Sequence, residues 1–151
     1  MNQMKIKIFI DSSVIIAALL SSDGGSAKIF KFCEAGIAEG WISNTVIEEV
    51  DRNIKRKFPE LKLYFYKLLK VAGIRISKNP SKNMIREAEA WIKDRYDAPI
   101  LAAAKLAKVD VVLTLDIRHF IKDTDVAKKS GMQIMTPGEF LNITARSSWF
   151  R

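Results

Sequence analysis

Residues 7–20, KIFIDSSVIIAALL, decide the fold. From Ile6 to Ile10 the chain is apolar and largely β-branched, broken only by Lys7, which is the signature of a buried strand. The run stops at a carboxylate, Asp11. Ser12 and Ser13 follow, then a second apolar run, 14–20. A charge at that junction is costly to bury without a partner. Asp11 therefore either caps the helix that Ser12 or Ser13 opens, or it holds something positive.

The same alternation continues outward. Residues 21–25, SSDGG, form a turn. A helix opens at Ser26 with Ile29, Phe30, Cys33 and Ile37 on one face, stopped at Gly40. Residues 41–43 read as a short strand. The next helix turns Val46, Ile47, Val50 and Ile54 inward. Pro59 starts another, residues 61–72, rich in aromatics. Residues 74–76 are strand-like, and 77–83 form a loop. A helix with Met84, Ile85, Ala88, Trp91 and Ile92 inward follows. Asp97-Ala98-Pro99 opens one more, with Asp97 as its cap and Ile100, Ala103, Ala104 and Ala107 facing in. Residues 111–115 form a strand that also ends on an acid, Asp116. The last strand is 132–135, and Thr136-Pro137-Gly138-Glu139 is a capping box. The expected organisation is one domain, residues 1–142, with a C-terminal tail, 143–151. Strands alternating with helices predict an α/β fold with a mainly parallel central sheet. In such sheets ligands bind beyond the carboxyl ends of the strands. Asp11 and Asp116 stand at two of those ends.

Composition narrows the partners. The chain of 151 residues is 48% hydrophobic, enough for a core without covalent staples. Its one cysteine, Cys33, lies in an apolar helical pattern and reads as buried and inert. No disulfide framework exists, which suits a reducing compartment. The N-terminal apolar stretch is too short for a leader, and no run reaches the roughly 20 residues that span a bilayer. The expectation is a cytoplasmic protein without a membrane partner. A formal net charge of +8 suits a polyanion such as nucleic acid. The densest basic cluster, RNIKRK at 52–57, follows the helix that carries Glu48 and Glu49.

The candidate chemistry rests on acids: Asp11, Glu48 or Glu49, Asp97 and Asp116. In a doubly wound sheet these positions can converge on one rim. Two like charges about 4 Å apart at an effective dielectric of about 20 repel by roughly 4 kcal/mol. Such carboxylates must take up protons or bind a cation. Oxygen-only donors favour Mg2+ or Mn2+, and such an ion can activate water and neutralise phosphate. On a helical wheel Glu48 and Glu49 flank the apolar face about equally. Ser13 and Thr114 neighbour the acids and could orient them. Arg118 could contact a phosphate. His119 invites a general-base role, but a metal removes that need, and it reads as structural or peripheral. Trp41 and Trp91 fit core positions, and Trp149 stays unassigned. A phosphatase of the haloacid-dehalogenase type would need a second aspartate two positions after Asp11, where Ser13 stands.

The stretches IFIDSSVIIAALL, SNTVIEEV, DAPILAAAKLAKVDVVLTLD and MTPGEFL, taken in order, resemble a PIN domain, the fold shared by VapC-type toxin ribonucleases and related nucleases. The resemblance spans almost the whole chain. It implies a three-layer α/β/α domain and assigns the family's acids to Asp11, Glu49, Asp97 and Asp116. Glu49 is preferred over Glu48 because the family places an aliphatic residue directly after the acid, and Val50 follows. The family often has Thr-Asn after the first acid, where Ser12 and Ser13 stand here. The implied activity is Mg2+- or Mn2+-dependent hydrolysis of RNA; Ser13 and Arg118, from their places beside the acids, are the residues expected toward the substrate. A toxin role, an antitoxin partner and a homodimer are implied in the same way. The alternative is a PIN-like module that binds RNA or protein without cutting it.

Overall fold

A computed structural model describes residues 5–146. In chain order the elements are β1 (Ile6–Ile10), α1 (Ser12–Leu20), α2 (Gly25–Glu34), β2 (Ala38–Ile42), α3 (Asn44–Lys57), α4 (Lys62–Val71), β3 (Arg75–Ile76) and α5 (Lys82–Ala88). There follow α6 (Ala98–Leu106), β4 (Val111–Leu113), α7 (Thr124–Ser130), β5 (Gln133–Met135) and α8 (Pro137–Arg146). Short helical turns at Pro59–Leu61, Arg95–Asp97 and Ile117–Ile121 link them.

Every strand pairing is parallel, and the strand order is β3-β2-β1-β4-β5. The chain first walks outward from β1 to β3, then returns to the other side of β1 for β4 and β5. With right-handed crossovers, these opposite directions put helices on both faces of the sheet, giving three layers, α/β/α. The return creates a topological switch point between β1 and β4, where such sheets open a crevice. Ile8, Phe9 and Ile10 of β1 and Val112 and Leu113 of β4 have no exposure at all, as expected of parallel strands covered on both sides.

The junction before β2 departs from the sequence expectation. The second helix ends at Glu34 rather than near Gly40, and the strand begins at Ala38 rather than Trp41. Gly36 is the stop: its φ of +76° is left-handed, and the amide of Ile37 closes back on the Phe32 carbonyl at 2.9 Å. Ile37 is thereby expelled from the helix. Gly40 lies inside β2 for a different reason. A Cβ there would sit 2.6 Å from Ile74 Cδ1 and 3.0 Å from Cys33 Sγ, so the strand needs glycine for close approach.

Other differences are smaller. The helix carrying Met84 stops at Ala88, although Ile92 beyond it is still buried. Residues 117–130, given no element from the sequence, hold the π-helical turn Ile117–Ile121 and α7. α8 continues through Arg146 with Thr144 buried, so residues 143–146 belong to that helix; Trp149 lies outside the described residues. Trp41 and Trp91 pack partly buried against the core, and Cys33 is buried. Among the described residues no single helix is long and apolar enough to cross a membrane.

Candidate functional site

Asp11 leaves the carboxyl end of β1 at the switch point. Its amide still pairs with the Leu113 carbonyl of β4 at 3.0 Å, so its backbone is held in the sheet. Its side chain caps nothing on α1, which disposes of the simpler reading of that acid. Instead Oδ2 accepts from Thr114 Oγ1 at 2.8 Å and from Ser13 Oγ at 2.9 Å. The two hydroxyls are themselves anchored: Thr114 Oγ1 accepts from the Asp116 amide at 3.0 Å, and Ser13 Oγ from the Leu115 amide at 3.0 Å. A threonine suited by shape to a strand thus ties the acid after β1 to the backbone after β4. Burial pushes the Asp11 carboxyl above its usual range, against the pull of these hydrogen bonds, and Asp116 adds to the rise.

Glu49 arrives from α3. That helix is capped by Ser43, whose hydroxyl accepts from the Val46 amide at 3.3 Å, and it buries Val46, Val50 and Ile54. Glu49 accepts from Ser12 Oγ at 2.8 Å, whereas Glu48 is exposed. The two glutamates differ in their surroundings: α1 and α3 pack so that Ser12 meets Glu49. Desolvation raises the Glu49 carboxyl, and the charge of Asp11 adds to the rise. Ser12, read from sequence only as a possible helix cap, carries this contact. The signal was present in the serine pair after Asp11, but its direction depends on where α3 lies.

Asp97 does not cap α6 with its side chain. Asp94 supplies the capping contact one turn earlier, accepting from the Tyr96 amide at 3.0 Å, and Asp97 is left half-buried and free to face the other acids. Its carboxyl is pushed up to about 7, first by burial, then by the charges of Asp94, Asp11, Asp116 and Glu49 in that order. Four elements thus bring their acids within electrostatic reach of one another, and Asp94 joins them. Only its spacing of three residues before Asp97 hinted at that in the sequence.

Asp116 begins the π-helical turn and accepts from the His119 amide at 3.1 Å. His119 Nδ1 stands 2.9 Å from Asp116 Oδ2, so the histidine is turned to the acids. The hydrogen bond and charge of Asp116 raise the imidazole above its usual value, with help from Asp97 and Asp94. One ligand atom each from Asp94, Asp97 and His119 lie within 4.8 Å of one another. Carboxylate oxygens with one imidazole suit a hard or borderline divalent ion. Arg118 is exposed at the rim. Arg52, first of the 52–57 basic cluster, lowers the Glu49 carboxyl by its charge, so that cluster starts close to the acids.

A family model for the PIN domain matches residues 7–118. No curated protein matches the chain significantly. Among solved structures, PAE2754 from Pyrobaculum aerophilum is similar with a TM-score of 0.62 at 15% identity, over 93% of this chain and 90% of that one. FitAcB from Neisseria gonorrhoeae is similar with a TM-score of 0.57 at 17% identity, over 87% of this chain and 98% of that one. At these identities the likeness is one of fold.

Proposed function

The chain belongs to the PIN domain family, and from that premise we propose that it is a divalent-metal-dependent endoribonuclease. One observation carries the reading: Thr114 ties the Asp11 carboxylate to the backbone of Asp116, on the rim where ligand atoms of Asp94, Asp97 and His119 lie within 4.8 Å of one another. Converging carboxylates of this kind call for a cation. An Mg2+ or Mn2+ ion, when bound, neutralises phosphate charge and makes nearby water a better nucleophile.

Asp11, Glu49, Asp97 and Asp116 are the residues assigned to hold the ion, with Asp94 and His119 alongside. Thr114 and Ser13 fix the rotamer of Asp11, and Ser12 fixes that of Glu49. Arg118 is assigned to a substrate phosphate, bidentate where geometry permits. Ser13 reaches the substrate side only through Asp11, which it orients. The exposed basic residues of 52–57 guide the polyanion toward the acids. The proposal extends to a toxin component acting in the cytoplasm, held by an antitoxin, with a second copy of the chain as a further partner.

The test is cleavage of labelled single-stranded RNA with Mg2+ or Mn2+ against EDTA. Asp11→Asn is expected to lower the rate by roughly 100-fold or more while circular dichroism stays unchanged. Cleavage that persists in EDTA, or in Asp11→Asn, sinks the proposal. Binding without any cleavage would mark a recognition module instead.

A further inference from the structure

Tyr96 has no place in the core. The residue is 86% exposed, more than any other large hydrophobic residue among the described ones. It sits in the turn Arg95–Asp97, directly before Asp97. That turn is not loose: Asp94 accepts from the Tyr96 amide at 3.0 Å, and the Asp97 amide donates to the Asp94 carbonyl at 3.1 Å. The ring is carried on backbone pinned beside the acids. Leu115 and Ile117, on either side of Asp116, are exposed as well, by 42% and 47%. Apolar side chains that gain nothing from the core thus flank both acids.

The same segments carry exposed cations, Lys93, Arg95, Arg118 and Lys122. None of these forms an ion pair among the described residues. A bare aromatic face with unpaired cations around it is the combination that seats single-stranded nucleic acid, ring against base and cation against phosphate. A base inside a duplex already has both faces covered by its neighbours, so only an unpaired nucleotide can offer one.

We infer that Tyr96 is the platform on which one unpaired base of the substrate stacks, setting the adjoining phosphate beside Asp97 and Asp116. The inference rests on the RNA reading above and goes beyond it by naming the residue that seats the nucleotide. It is tested in the full chain carrying Asp11→Asn, so that RNA stays intact. The probe is a short labelled single-stranded oligoribonucleotide containing 2-aminopurine. Tyr96→Ala is expected to weaken binding by roughly 10-fold or more and to abolish the quenching that a stacked 2-aminopurine shows. Tyr96→Phe retains both, and a duplex of the same sequence binds both variants alike. Unchanged affinity and quenching in Tyr96→Ala overturn the inference, as does a Tyr96→Phe protein as weak as the alanine variant. The two readings fail separately. Wild-type cleavage with an unaffected Tyr96→Ala removes the stacking and leaves the nuclease. Loss of stacking in Tyr96→Ala, with a wild-type chain that never cuts, does the reverse.

Discussion

Thr114 uses one hydroxyl twice, donating to Asp11 Oδ2 and accepting from the Asp116 amide. Thr114→Val keeps the shape and removes both bonds. It leaves a buried carboxylate and a backbone amide short of a partner, so urea denaturation should show a loss of about 1–3 kcal/mol; Thr114→Ser should recover most of it. Asp97 gives a pH signature. Its folded-state value, about 7, lies above the ordinary 3.8, so the folded chain binds the proton more tightly than the unfolded one. The stability this contributes is complete at low pH and is lost as pH rises from about 4 through about 7. His119, also raised, contributes in the same direction. Without metal, wild type should therefore lose thermal stability relative to Asp97→Asn across that window, and saturating Mn2+ should abolish the difference. An equal pH dependence of the two proteins would contradict the crowding of charge at Asp97. Of these residues, Asp11, Asp97 and Asp116 were legible because each follows a strand or opens a helix. Ser12 and Asp94 were not, since a serine hydroxyl or a capping acid acquires a direction only when its neighbour in space is known.

At the scale of elements, the sheet is read easily and its joints poorly. β1 and β4 announce themselves by apolar runs that end on acids. The α2–β2 joint contains two glycines, and period alone does not tell a left-handed helix stop from a strand glycine. Gly36 is the stop by its φ of +76°, and Gly40 is the close approach. Gly40→Ala should cost about 1–3 kcal/mol by overpacking against Ile74 and Cys33, measured by denaturant midpoint. A second substitution, Ile74→Val, should return part of the loss. The π-helical turn Ile117–Ile121 escaped sequence reading because five residues carry no helical period. α7 escaped because Val126 is its only buried apolar side chain. It is that unreadable turn which carries His119 back to Asp116.

For the whole molecule, the face left bare is that of α4. Only Phe65 of that helix is buried, while Leu63, Tyr64, Tyr66 and Val71 are exposed, a larger apolar display than a solitary surface helix needs. The occupant proposed for it is a second copy of the chain. Sedimentation velocity of the isolated protein should then give a dimer, and Leu63→Asp a folded monomer. A monomeric wild type would remove that role. The strand order has a further consequence for how such a protein is made. The parallel pairing of Ile8, Phe9 and Ile10 with Val111, Val112 and Leu113 joins stretches far apart in the sequence. Thr114 follows Asp11 by 103 residues, so a growing chain carries the first acid long before it carries the hydroxyl that fixes it. The rim of acids is therefore assembled late, once β4 has been made and has docked beside β1.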